Sequence, residues 1–184
     1  MAFPPLTIAS TARFCAIWAY SGDMAPRTSS RPYTGRCFCE ATRFRISAEP
    51  LTLYACHCTD CQKRSGSAFG LSLWVPRAAI EITSGEPALQ VLKGADGRSR
   101  PGRSCAQCGA RLWSEPEKRP TLAIVRAGTL DDTAWLRPVA HVWTRSAQPW
   151  FAIPQSVARY ATQPDDFSEL VQLWRERSDR GDSA

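Results

Sequence analysis

Seven of the eight cysteines fall into three tight clusters: Cys37-Phe38-Cys39, Cys56-His57-Cys58-Thr59-Asp60-Cys61 and Cys105-Ala106-Gln107-Cys108. A disulfide framework spreads its cysteines so that bridges close long loops, whereas a metal ion draws two or more ligands from one short segment. Eight cysteines in 184 residues also fall well short of the ~8–10% typical of short disulfide scaffolds. The clustering therefore points to metal in a reducing compartment, and the chain is expected in the cytoplasm.

The spacings say how an ion could be gripped. Residues i and i+2 of an extended segment project to one face, so Cys37 and Cys39 can reach one ion together, and so can Cys56 and Cys58. His57 then points the other way and is expected to be a hydrogen-bonded or packed histidine rather than a ligand of the same ion. In Cys105-Ala106-Gln107-Cys108-Gly109 a tight turn brings two sulfurs together, and Gly109 supplies the positive φ such a knuckle uses. Cys58-Thr59-Asp60-Cys61 has the same spacing without the glycine. Soft thiolates select zinc or an iron–sulfur cluster over hard cations. Seven ligands divide as four plus three, a closed tetrahedron and a site with an open position, which favours zinc. A redox dithiol and an iron–sulfur cluster are the alternatives. The first lacks a thioredoxin-like pattern of alternating strands and long helices, and the second would leave three cysteines over.

The rest of the chain reads as an ordinary globular protein, 43% hydrophobic and 22% charged, with no apolar run long enough for a membrane helix. Its formal charge of +6 drops to about +3 once seven thiolates and two Zn2+ are counted. Basic residues are scattered without an aromatic-interleaved stripe, so nucleic acid is not expected as a partner, and neither is a membrane. Residues 1–32 carry few charges and several prolines and read as a leader or disordered tail. Met24 there is a candidate internal start, and Cys15 is a bystander. A zinc domain is expected over 33–162, and a C-terminal helix with its tail over 163–184.

Strands are expected at Thr42–Ile46, Ala68–Val75, Ala79–Thr83, Leu89–Leu92, Leu122–Val125 and His141–Trp143, separated by turns rich in Pro and Gly. Within the second, Phe69, Leu71, Leu73 and Val75 should share a face. Thr59–Ser65 suits a helical turn or two. Asp165 or Asp166 can cap a helix whose Phe167, Leu170, Val171 and Trp174 follow helical spacing. The expected fold is mainly β: small antiparallel sheets organised around a structural zinc, with few short helices and one C-terminal helix.

The run Cys56-His57-Cys58-Thr59-Asp60-Cys61-Gln62-Lys63-Arg64-Ser65-Gly66-Ser67-Ala68-Phe69 resembles the signature of the glutathione-dependent formaldehyde-activating enzyme (GFA) family, which includes centromere protein V. Gly35-Arg36-Cys37-Phe38-Cys39-Glu40 resembles its opening Gly-x-Cys-x-Cys-Gly segment, and Ser104-Cys105-Ala106-Gln107-Cys108-Gly109 its Phe-Cys-x-x-Cys-Gly segment. His141-Val142-Trp143, followed by Trp150, resembles the closing segment. The departures are Glu40 for Gly, Gln62 for Arg and Ser104 for Phe.

The resemblance implies a β-rich fold shared with a small zinc-binding Rab-regulating chaperone, and two Zn2+ per chain. A structural zinc would be held by Cys37, Cys39, Cys105 and Cys108. A catalytic zinc would be held by Cys56, Cys58 and Cys61. It further implies a carbon–sulfur lyase of the S-(hydroxymethyl)glutathione synthase type, acting on glutathione or a similar thiol together with an aldehyde such as formaldehyde. Glutathione carries two carboxylates, which Lys63, Arg64, Arg98, Arg100 or Arg103 could meet. The competing expectation is a non-catalytic zinc module that binds a protein or nucleic-acid partner through a β surface.

Overall fold

The computed structural model describes residues 28–94 and 96–179, with side chains placed from Pro32 onward. The expected leader, with Cys15 and Met24, lies outside the described residues up to position 27, as do 180–184 at the other end. Strand β1 (Thr28–Arg36) starts inside the expected tail and pairs antiparallel with β2 (Arg43–Ala48). β2 pairs in turn with β5 (Ile80–Ser84), which completes a three-stranded sheet.

The second sheet has eight strands. In spatial order these are β11 (Ala158–Tyr160), β10 (Ala140–Val142), β3 (Thr52–Cys56), β4 (Gly70–Pro76), β9 (Leu122–Arg126), β8 (Arg111–Ser114), β7 (Ser99–Cys105) and β6 (Pro87–Lys93). From β3 through β6 every ladder is antiparallel. The β3–β10 and β10–β11 ladders are parallel, an addition to the expected antiparallel pattern.

Alternation along the central strands builds three layers. Leu73 and Val75 of β4 and Ala123 and Val125 of β9 face the three-stranded sheet and pack with Phe44, Ile46 and Trp113. The Leu, Val, Ile and Phe side chains among these each contribute ~1.5–3 kcal/mol when taken fully out of water. Leu71 packs against this core as expected, but Phe69 leaves the series and joins a group of aromatic and histidine rings. The other face presents Tyr54, Cys56, Trp74 and Leu122 to helix α2 (Ser168–Asp179), which buries Leu170 and Val171 there beside Phe167. Asp166 caps α2 by accepting from Ser168 N at 2.9 Å, and Thr52 Oγ1 donates to Leu170 O at 2.9 Å. Helix α1 (Thr59–Ser65) lies beside β4 and ends at Gly66, whose φ of +61° closes the last turn.

Candidate metal centres

The first cluster forms where the two sheets meet. Cys37 and Cys39 sit in the tight loop that leaves β1, not in an extended strand: Cys37 N donates to Thr42 O at 3.0 Å and Glu40 N to Cys37 O at 3.1 Å. The turn still brings their sulfurs to 3.5 Å. Cys105 ends β7 and opens the expected knuckle, in which Gly109, at φ +72°, donates its N–H to Cys105 O at 3.0 Å. Cys39 Sγ lies 3.7 Å from Cys105 Sγ, and all four sulfurs lie within 4.8 Å of one another. A tetrahedron with Zn–S bonds of ~2.3 Å has edges of about 3.8 Å, so this set fits zinc. The Cys108 N–H and the Thr42 side chain pull the Cys105 thiol down to about 6, and the Ala110 N–H lowers Cys108. The loop backbone thus favours the thiolates a soft cation needs.

The second cluster is local. Cys56 ends β3, facing α2. Cys58 is the N-cap of α1 and accepts the Cys61 N–H at 3.3 Å, and Cys61 sits in the first turn. The three sulfurs lie within 4.8 Å of one another, and among the described residues no fourth Cys, His, Asp or Glu joins them. Sharing with the Cys56 and Cys61 thiols, reinforced by the Cys61 and Asp60 N–H groups, drives Cys58 far below the usual thiol range. The same sharing pushes Cys56 up. This set, too, suits a thiophilic ion.

His57 behaves as its place in the alternation requires. Fully buried, it points away from the sulfurs and brings Nε2 to 2.8 Å from His141 Nδ1, between the rings of Phe69 and Phe151. Burial lowers the pKa of both rings, and the neighbouring His57 helps bring His141 to about 4.

A cavity of about 590 Å³ opens beside Cys56 and Cys58, walled by Tyr54, Arg98, Arg100, Trp143 and Arg145 among others. Arg100 is already committed there, to Asp60 at 2.8 Å and Asp96 at 3.0 Å. Arg145 stacks on Trp143 at 4.8 Å and has no acidic partner among the described residues. Of the other cations expected to meet substrate, Arg103 turns to Glu115 at 3.3 Å, Arg64 reaches Ser114 at 3.4 Å, and Lys63 is exposed on α1.

The glutathione-dependent formaldehyde-activating enzyme family model matches residues 32–146. The chain belongs to this family. It is 31% identical over 108 residues to a Penicillium rubens protein named as a candidate glutathione-dependent formaldehyde-activating enzyme, with 56% of each chain covered. A Colletotrichum graminicola protein of the same name is 26% identical over 110 residues, covering 57% of this chain and 56% of its own. The chain thus spans a little over half the length of the curated relatives it matches. A crystal structure of a Rhodobacter sphaeroides protein aligns at 17% identity with a TM-score of 0.43, over 57% of this chain and 91% of that one.

Two departures from the GFA pattern now have a physical setting. Glu40 adopts φ +63°, the left-handed backbone that glycine takes freely, and ties itself to Arg36 at 2.8 Å and Arg43 at 2.6 Å. Gln62 clamps the three-cysteine loop: its Nε2 donates to His57 O and to Ser146 O, both at 2.7 Å, and its Oε1 accepts from Gln148 at 2.8 Å. Sequence reading missed Tyr54, Arg145 and the His57–His141 contact. The signal lay in the closing segment, where His141 and Arg145 flank Trp143, itself held at φ +60° beside the cavity.

Proposed function

We propose that this GFA-family chain is a zinc-dependent carbon–sulfur lyase that joins or cleaves a thiol–aldehyde adduct, glutathione with formaldehyde being the type pair. Cys37, Cys39, Cys105 and Cys108 would hold a structural Zn2+, and Cys56, Cys58 and Cys61 a second, catalytic one. The observation that carries the reading is unequal closure: four sulfurs in one set, three in the other, and a cavity against the three.

In the forward direction the thiol sulfur bonds to the aldehyde carbon, and the thiol proton ends on the oxygen that becomes the new hydroxyl; cleavage reverses both. A free thiol of pKa ~8.5 is only a few per cent ionised at neutral pH. Cys56, Cys58 and Cys61 would hold a zinc ion whose positive charge would favour the thiolate form of the substrate. The chain's own residues orient the rest. Arg145, preorganised on Trp143, offers a guanidinium group to a carboxylate at the cavity wall, beside Arg98, whose Nε lies 3.5 Å from Asp96. Tyr54 stays protonated, because burial and the nearby Cys56 raise its pKa, and so presents a neutral hydroxyl. The Gln62 clamp fixes the loop that carries Cys58.

Native mass spectrometry should count two zinc ions per chain, and mixing glutathione with formaldehyde should yield S-(hydroxymethyl)glutathione faster than the uncatalysed reaction. Full turnover in Cys58→Ser would sink the assignment.

A further inference from the structure

On the Cys61 side of the three-cysteine set, three guanidinium groups meet between α1 and the large sheet. Arg64 comes from the helix, Arg111 from β8 and Arg126 from β9. Arg64 Nη2 reaches Ser114 Oγ at 3.4 Å, and Arg111 Nη2 donates to Arg100 O at 3.3 Å. A Cβ placed on Gly70 would find Arg126 Nη1 at 3.0 Å and Cys61 Sγ at 3.9 Å, so that guanidinium sits next to the thiol. Arg111 Nε and Nη1 are buried and have no hydrogen-bond partner.

None of the three makes an ion pair with an acid among the described residues. Two carboxylates on the neighbouring elements are occupied elsewhere: Asp60 by Arg100, and Glu115 by Arg77, Arg103 and the Trp113 N–H. The three arginines are half-buried, where unpaired charge of one sign already carries a cost, and the buried Arg111 donors without partners are rare enough to need a cause. Charge balance with a zinc–trithiolate centre of net −1 would leave two of the three positive charges over. Burial, and the repulsion that Arg126 and Arg111 exert on it, lower the pKa of Arg64 to about 10.

We propose that Arg64, Arg111 and Arg126 form a carboxylate-binding subsite beside Cys61 that seats one end of an anionic thiol substrate. This rests on reading the three-cysteine set as the thiol site. A tripeptide such as glutathione has its thiol in the middle and a carboxylate at each end. With the sulfur at the cysteines, one carboxylate would fall toward the cavity with Arg145 and the other toward this cluster. Arg matches carboxylate geometry with two parallel N–H donors.

The test is calorimetric titration of the zinc-loaded protein with S-methylglutathione, which keeps both carboxylates but has no free thiol, and with its diethyl ester. The acid should bind at least tenfold more tightly than the ester. Arg126→Gln should weaken the acid at least tenfold and leave the ester unchanged, and Arg126→Lys should recover part of the loss. Zinc content and circular dichroism check the fold, and Arg64→Gln on the helix serves if Arg126→Gln does not fold. Equal binding of acid and ester, no measurable binding of either, or an unaltered Kd in Arg126→Gln overturns the subsite. So does loss of zinc from that variant with Kd unchanged, which would make the arginines charge-balancing groups only. If the binding pattern holds but wild type forms no S-(hydroxymethyl)glutathione, the lyase reading fails and the subsite stands. If wild type turns over and Arg126→Gln leaves Kd and KM unaltered, the subsite fails alone.

Discussion

The two cysteine sets differ less in chemistry than in what they join. The four-cysteine set links the loop after β1 to the knuckle after β7, with Cys39 and Cys105 separated by 66 positions. It thereby stitches the small sheet to the large one. The three-cysteine set lies within six residues at the junction of β3 and α1. An ion in the first closes a long loop, which is where a cross-link removes most entropy from the unfolded chain. An ion in the second closes almost none, so little stability should depend on it. Its sulfurs can instead be spent on chemistry.

That contrast breaks most visibly by removing one ligand from each set. Zinc binding in small zinc domains is worth ~10–16 kcal/mol, comparable with the ~5–15 kcal/mol net stability of a typical fold. Cys105→Ser should therefore abolish the cooperative thermal transition and the near-UV circular dichroism. A variant that melted at the wild-type temperature would show that the sheets hold together without that centre. Cys58→Ser should lose one zinc of two and at least 100-fold in turnover, while its melting temperature stays within a few degrees. Global unfolding of Cys58→Ser would erase the distinction between the sets.

Sequence and structure agree where the local signal is strong. The β4 alternation of Leu71, Leu73 and Val75 and the α2 spacing of Phe167, Leu170 and Val171 are both realised, because each apolar face has a partner layer. The three cysteine clusters were legible from spacing, but that Cys37 and Cys39 meet Cys105 and Cys108 followed only from the resemblance to the GFA family, because spacing cannot say which clusters come together. Strand β7 was not, since Arg100, Pro101, Gly102 and Arg103 carry no apolar period; pairing with β6 along all seven residues imposes its extended form. β3 was hidden differently. Its five residues are buried on both faces, so no polar–apolar alternation marks them. The arginine cluster at Cys61 was invisible for a topological reason: positions 64, 111 and 126 are far apart in sequence, and α1, lying beside β4, brings Arg64 to Ser114 of β8, the neighbour of β9.

Acid should separate the two regions more gently. The His57–His141 contact ties the three-cysteine loop to β10, and burial with the neighbouring His57 lowers His141 in the folded protein to about 4 from an ordinary 6.5. A histidine whose folded pKa is depressed binds fewer protons than in the unfolded chain. Its contribution is therefore fully present above about 6.5 and is lost as pH falls toward 4. Protection factors of the α1 amides, corrected for the intrinsic pH dependence of exchange, should fall over that window before those of the Cys105–Cys108 knuckle. His141→Asn should flatten the pH dependence relative to wild type, a comparison that subtracts the acid sensitivity of the cysteine sets, which the two proteins share. An identical slope in the two proteins would remove the histidine pair from the account.

The smallest effect concerns the turn that shapes the four-cysteine grip. Glu40 holds φ +63°, which costs an L-residue roughly 1–2 kcal/mol and glycine nothing. Its ion pairs to Arg36 and Arg43 are solvent-exposed, and such pairs return only ~0.2–1 kcal/mol each. Glycine would relieve the backbone but lose those pairs and ~0.5–1 kcal/mol to its freer unfolded chain, so Glu40→Gly should lie within about 1 kcal/mol of wild type. The informative comparison is with Glu40→Ala, which loses the same pairs and keeps the strain. Glycine should be the more stable of the two by about 0.5–1 kcal/mol in urea unfolding, reversing the usual order of Ala over Gly. If Ala equals or exceeds Gly, position 40 does not strain the loop, and the four-cysteine grip owes nothing to a left-handed residue between Cys39 and Thr42.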